Sequence, residues 1–241
     1  DMDNSSVTTH LTLGTNGVDL ILQPNTNSLT SGFVNSYWSG ASYSSSSHVI
    51  GIESKDNVLL TINGNVILRD NATILVYDKN LSLGNLALEN GNIDFYGGTL
   101  SLAGGSVGAN GNIEVGKQNQ SASILSLQGN LTVAGTLNLG YGSTINLADN
   151  ATANLSGGNL ELAGSHSLDG ITTDNNTTLQ INTSGGISRT DNGTSTVGNL
   201  VLSQAGSSSG VSFGVDNMSL TVGGTAQFGG DNITLNSANL D

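Results

Sequence analysis

Asn80-Leu81-Ser82-Leu83-Gly84-Asn85-Leu86-Ala87-Leu88-Glu89-Asn90-Gly91-Asn92-Ile93-Asp94-Phe95-Tyr96-Gly97-Gly98-Thr99-Leu100-Ser101-Leu102 is the stretch whose reading decides the fold. It holds four apolar–polar–apolar triplets, starting at Leu81, Leu86, Ile93 and Leu100, with Gly or Asn between them. Alternation with a period of two puts one face of each triplet inward and the other outward, which marks a strand, and no helical period competes with it. The triplets follow one another faster than the roughly 8–12 residues usual between the turns of a hairpin sandwich. Short arms joined by tight bends therefore predict a coil.

The same unit extends in both directions. Upstream it reads Leu60-Thr61-Ile62, Val66-Ile67-Leu68 and Ile74-Leu75-Val76. Downstream it reads Ile113-Glu114-Val115, Leu125-Ser126-Leu127, Leu131-Thr132-Val133, Leu137-Asn138-Leu139, Ile145-Asn146-Leu147 and Leu160-Glu161-Leu162, then Leu200-Val201-Leu202, Leu220-Thr221-Val222 and Ile233-Thr234-Leu235. Three arms make a rung of about 19 to 23 residues, inside the range of solenoid repeats. The expected fold is all-β, a right-handed parallel β-helix with three short strands per rung, its hand taken from the preference of parallel crossovers. Chain length divided by the rung gives about ten to twelve coils, spaced about 4.8 Å apart. Gly97-Gly98, Gly104-Gly105, Gly157-Gly158 and Gly223-Gly224 fit the corners, where positive φ costs other residues more. Asn63, Asn90, Asn110, Asn130 and Asn150 fit corners too, tolerating the left-handed region and stacking amide on amide between rungs.

Two stretches depart from the rhythm. Residues 1–50 read as first coils or a cap with an aromatic loop, and residues 51–241 as the repeats. Within the latter, 163–199 is richer in Thr, Asn and Ser and is expected to leave the tube as loops. The unit at Ile233 has no polar cap after it, which predicts a fragment of a longer chain.

Composition restricts the chemistry. Eighteen acids against five bases give a formal net charge of −13, with only 10% of residues charged. Nucleic acid and anionic lipid both need a basic footprint, so neither is an expected partner. No apolar run is long enough to span a membrane. The absence of cysteine removes disulfides, thiolate nucleophiles and thiolate metal sites.

Gly98-Thr99-Leu100-Ser101-Leu102-Ala103-Gly104-Gly105 and Gly158-Asn159-Leu160-Glu161-Leu162-Ala163-Gly164 resemble the passenger domains of type V secretion proteins. These are the autotransporter adhesins of the AIDA and pertactin kind and the two-partner-secreted filamentous haemagglutinins. The resemblance covers roughly residues 55–241 and lies in pattern and composition. It implies a Gram-negative cell surface, secretion through a separate outer-membrane translocator, and adhesion, autoaggregation or biofilm formation. The partners it implies are a second copy, or a host-surface receptor or glycan. No cofactor is expected.

The remaining candidates are few. Asp94, Glu114 and Glu161 occupy the outward slot of matching units and predict an acidic column; two carboxylates about 5 Å apart could raise one pKa or hold a cation. A polysaccharide-cleaving β-helix enzyme would cluster its acids in this way, and it is the alternative to adhesion. A spacer stalk carrying a separate head is the third reading. Tyr37, Trp38 and Tyr43 gather the only Trp and two of the five Tyr and could contact a ligand, although closure of the first coil's apolar end is the plainer reading. His10, His48 and His166 are scattered and read as surface residues. Ser184-Gly185-Gly186 lacks the context of a nucleophile, and no Gly-x-Ser-x-Gly elbow, calcium repeat or EF-hand loop occurs. Gly104 to Gly111 has the glycines of a phosphate loop without its lysine, so a solenoid corner is expected there. Asn-x-Ser/Thr sequons, such as those at Asn80, Asn130 and Asn154, permit glycosylation without predicting it.

Overall fold

In the computed structural model, every regular element among the described residues is a strand. Described are residues 9–13, 19–22, 41–44, 49–53, 58–62, 65–68, 73–78, 80–117, 120–155, 157–182, 185–202, 212–229, 232–236 and 239–241; before Thr61, and at 212–213 and 232–236, the backbone alone is described.

The chain winds into a parallel β-helix with three arms per rung. Gly98–Val107 carries a first and a second arm with a bend at Gly104-Gly105, and Asn112–Val115 forms the third. Asn80–Leu88 does the same one rung earlier, with Leu81, Leu83, Leu86 and Leu88 all buried. The inward step there is two residues within an arm and three across Gly84-Asn85, so the phase slip in the sequence is the corner itself.

Neighbouring rungs pair in register. Leu81, Leu100, Leu125 and Ile145 form one inward column of the first arm. Ile74, Ile93, Ile113, Leu137, Leu160, Leu179 and Leu200 form one of the third. All seven of the latter are within 3% of complete burial, and full burial of one such side chain stabilises by roughly 1.5–3 kcal/mol.

The third arm is the spine. Its ten-stranded sheet runs from Ala41–Ser44 to Ala226–Phe228, and because Ala41–Ser44 pairs antiparallel with Val49–Glu53, nine of the ten strands are parallel. Eight steps of about 4.8 Å make this face about 40 Å long, shorter than ten to twelve coils would give. The rungs vary more than the sequence suggests. Asn92 and Thr73 bond across 19 residues, whereas Gly97 and Ser123 bond across 26.

The first and second arms do not run through. The eleven-stranded sheet ends its first arm at Ser143–Leu147 and its second at Ile171–Thr173, and separate sheets begin at His166–Ser167 and Thr194–Val197. The described residues within 163–199, a stretch expected as loops, thus stay in the coil. Their looser rhythm reflects a fault in two arms while Asn159–Leu162, Thr178–Ile181 and Asn199–Leu202 continue the third in register.

Corners follow the expected chemistry in part: Gly97, Gly98, Gly104, Gly105 and Gly157 have positive φ and Gly158, Gly223 and Gly224 do not, and of the expected asparagines that are described only Asn150 is left-handed. Asn150, Asn192 and Asn217 are left-handed, at φ 66°, 53° and 54°. At three corners, however, the bridging Asn meets Thr instead of another side-chain amide. Asn80 Oδ1 accepts from the Thr99 N–H at 2.8 Å, Asn130 Oδ1 from that of Thr152 at 3.2 Å, and Asn199 Oδ1 from that of Thr225 at 3.2 Å. The side chain supplies a ladder bond at corners where backbone geometry breaks the ladder. Gly105 takes an inward position at φ 145°, and a Cβ there would run into the Leu86 carbonyl. Gly108 donates to Leu88 and Gly111 to Gly108, so the phosphate-loop lookalike is a corner, and a strand follows it.

Leu131→Ala should lower stability by about 2–5 kcal/mol, and the adjacent outward Thr132→Ala should change it by less than about 0.5 kcal/mol. Urea unfolding followed by circular dichroism compares the two.

Candidate functional site

Along the spine the outward slots can be followed from rung to rung. One column reads Leu75, Asp94, Glu114, Asn138, Glu161, Gln180, Val201 and Gln227. Asp94 and Glu114 are direct neighbours, as their matching slots imply. Glu161 is separated from them by Asn138, whose Nδ2 donates to Glu161 Oε2 at 3.4 Å. The acids therefore form a pair and a separate, amide-partnered carboxylate, and no continuous column.

The pair belongs to a larger cluster. Thr73–Tyr77 and Asn92–Tyr96 end on tyrosines in register, with ring centroids 5.4 Å apart and planes tilted by 51°. The Lys117 ammonium lies 4.9 Å from the centroid of the Tyr96 ring, within cation–π range. The Tyr96 hydroxyl donates to the Glu114 carboxylate. Tyr96 is only 5% exposed although it does not belong to the tube's interior cluster. Behind it, Asp78 turns with φ 49° and its carboxylate folds over Gly97, which has φ 90° and no side chain to obstruct it.

The electrostatics follow from this packing. Burial holds the Asp94 carboxyl above the usual carboxylate range, the Glu114 charge one rung away adds to the effect, and Lys117 offsets part of it. Burial also pushes the Tyr96 hydroxyl up, with the Asp94 and Glu114 charges adding to it. The cluster is a protonatable acid beside a second carboxylate, framed by two aromatic rings and one ammonium.

The sequence named Asp94 and Glu114 but missed Tyr77, Tyr96 and Lys117. A signal was present: Thr73-Ile74-Leu75-Val76-Tyr77 and Asn92-Ile93-Asp94-Phe95-Tyr96 place Tyr in the same slot of matching units. Tyr37 and Trp38 lie outside the described residues. Tyr43 pairs with Ile50 in the antiparallel strand, and Ile50 heads the column of Ile74 and Ile93. Register thus aligns Tyr43 with the apolar column and not with the outward acids.

His166, expected at the surface, is 8% exposed and in register with the buried Ile187. Its Nε2 meets the Ala163 carbonyl at 3.1 Å. Burial lowers its pKa, and acceptance by the Ala163 and Leu139 carbonyls opposes that only in part. His10 is described by its backbone alone and His48 lies outside the described residues. Elsewhere Arg189 forks onto Asp191, with Nε–Oδ1 at 2.9 Å and Nη2–Oδ2 at 3.0 Å, and the Gly193 N–H also donates to Asp191 Oδ1. These bonds hold Asp191 down at about 2 and pin a corner. Among the described residues, no set of three His, Asp or Glu side chains is placed to hold a metal ion.

Comparison with protein-family models, with characterised proteins and with solved structures finds no match to this chain.

Two pH effects of opposite sign are expected. For Asp94, raised in the folded state, the stability of the protonated form is full below the unfolded value and lost as pH rises through the folded one. Asp94→Asn should therefore raise the melting temperature near neutral pH, and the gain should vanish below about pH 4. For His166, lowered in the folded state, stability is full above about 6.5 and falls as pH drops below it. Melting curves across this range should show the loss, and His166→Leu should flatten it.

Proposed function

We propose that this chain is part of a bacterial cell-surface adhesin passenger, non-enzymatic, acting in adhesion, autoaggregation or biofilm formation through the polar faces and loops of its β-helix. The observation that carries the reading is the spine face. Beside the acid-bearing column runs a second outward column of Thr73, Asn92, Asn112, Thr136, Asn159, Thr178 and Asn199, all in register. It presents hydrogen-bonding side chains at the rung pitch with no charge among them. Each contact to such an array is weak, and a rod repeated over a cell surface makes many at once, so avidity supplies the strength that single contacts lack. The resemblance to type V secretion passengers supports the same reading, with a Gram-negative outer surface as the location and a separate translocator for export.

A second reading has an observation of its own. Asp94 and Glu114 are adjacent, and the Asp94 carboxyl is raised. A carboxyl with a raised pKa next to a second carboxylate is the pairing that glycoside hydrolysis uses.

Display of the parent protein on otherwise non-aggregating cells should make them clump and settle. Replacing Asn159, Thr178 and Gln180 with Arg should slow settling while the purified chain keeps its melting temperature. Display that alters neither clumping nor attachment to host cells or glycans would retire the adhesin reading. Incubation with a polysaccharide panel decides the alternative. The adhesin reading expects no new reducing ends or unsaturated products, and the enzyme reading expects products that Asp94→Asn abolishes.

A further inference from the structure

Along the spine face, whose outward columns are mostly polar but include Leu75 and Val201, Tyr77, Asp94, Tyr96, Glu114 and Lys117 meet in one cluster. We infer that this cluster is a binding site for an uncharged, hydroxyl-rich ligand, a neutral oligosaccharide, lying along the rod axis.

An outward slot needs no buried aromatic to complete the tube, since Ile93 and Phe95 of the same strand already fill the interior at 0% exposure. Tyr96 is nevertheless buried, by Tyr77 on one rung and by Lys117 and Glu114 on the next. That packing fixes three neighbours. It orients the Glu114 carboxylate through the tyrosine hydroxyl, draws the Lys117 ammonium over the ring, and holds the partly exposed Tyr77 ring against its edge. Groups locked before a ligand arrives lose little entropy on binding.

The chemistry then selects the ligand. A tyrosine ring offers an apolar face with a polar rim, suited to the C–H face of a pyranose. Asp94 and Glu114 accept hydrogen bonds from hydroxyls, and Lys117 donates. Charge-assisted bonds of this kind are the stronger ones. The carboxylates lie on adjacent rungs, so acceptors repeat along the axis at about 4.8 Å, close to the advance of one sugar unit in an extended chain. Two acids against one base leave the cluster negative, on a chain of net charge −13, so acidic glycans are repelled. The rung is also long here, with Gly97 bonded to Ser123 across 26 residues. Exposed Gln120 and Ser121 supply further polar groups at the rim.

This assignment is independent of clumping, because it concerns the purified chain and soluble sugars. Isothermal titration with cellohexaose, mannohexaose and N-acetylchitohexaose at about 1 mM should show binding of at least one, with no binding of oligogalacturonate. Tyr77→Ala should weaken that binding about tenfold or more. Asp94→Asn and Glu114→Gln should weaken it too, whereas Glu161→Gln, an acid on the same face outside the cluster, should not. Melting curves identify any variant that has lost its fold, and the conservative Asp94→Asn keeps the test sharp if Tyr77→Ala does. The assignment is overturned if no neutral oligosaccharide binds, if oligogalacturonate binds equally well, or if the cluster variants and Glu161→Gln behave alike.

Discussion

Each rung of this protein is stable only because another lies on it in register. The backbone bonds run between rungs, and each inward Leu, Ile or Val buries itself against the residue in the same slot above and below. A single rung has neither a sheet nor a core. Phe228 shows the dependence from the other side. It shares the column of buried Leu202 but is 45% exposed, because no described strand covers it.

Register is therefore the constraint from which the other features derive. The third arm keeps it from Val49 to Phe228 and acts as a spine. The first and second arms lose it once each, and the irregular residues collect at that fault. His166 stands where an aliphatic residue would pack, Ile145 and Leu147 are only partly buried, and the Thr173 hydroxyl is buried without a partner. One continuous arm lets the other two slip without ending the solenoid. The fault is also the place where a titratable group sits in the core, which couples the coil to pH.

On the outside, register turns a repeated sequence into repeated surface chemistry. Small polar residues form uncharged columns suited to many weak contacts. On the same face one cluster packs an aromatic ring, two acids and an ammonium together.

Within each unit the sequence was decisive. Alternation named most of the inward residues whose side chains are described, with Ile145, Leu147 and Val222 only partly buried, since apolar–polar–apolar spacing leaves a short strand no other way to bury its side chains, and Gly and Asn marked the bends. Three short arms per rung followed from the spacing of those bends. What the sequence left open was which units become neighbours, because the corners vary and the separation between stacked residues runs from 18, for Ala153 and Ile171, to 49, for Thr9 and Val58. Only the assembled coil put Asn138 between Glu114 and Glu161, stacked Tyr77 on Tyr96 beneath Lys117, aligned Tyr43 with the apolar column and turned His166 inward. Alternation is a local property fixed by the period of the strand. Adjacency across a rung depends on the summed lengths of three corners, and a shift of one residue at any corner would exchange the inward and outward faces.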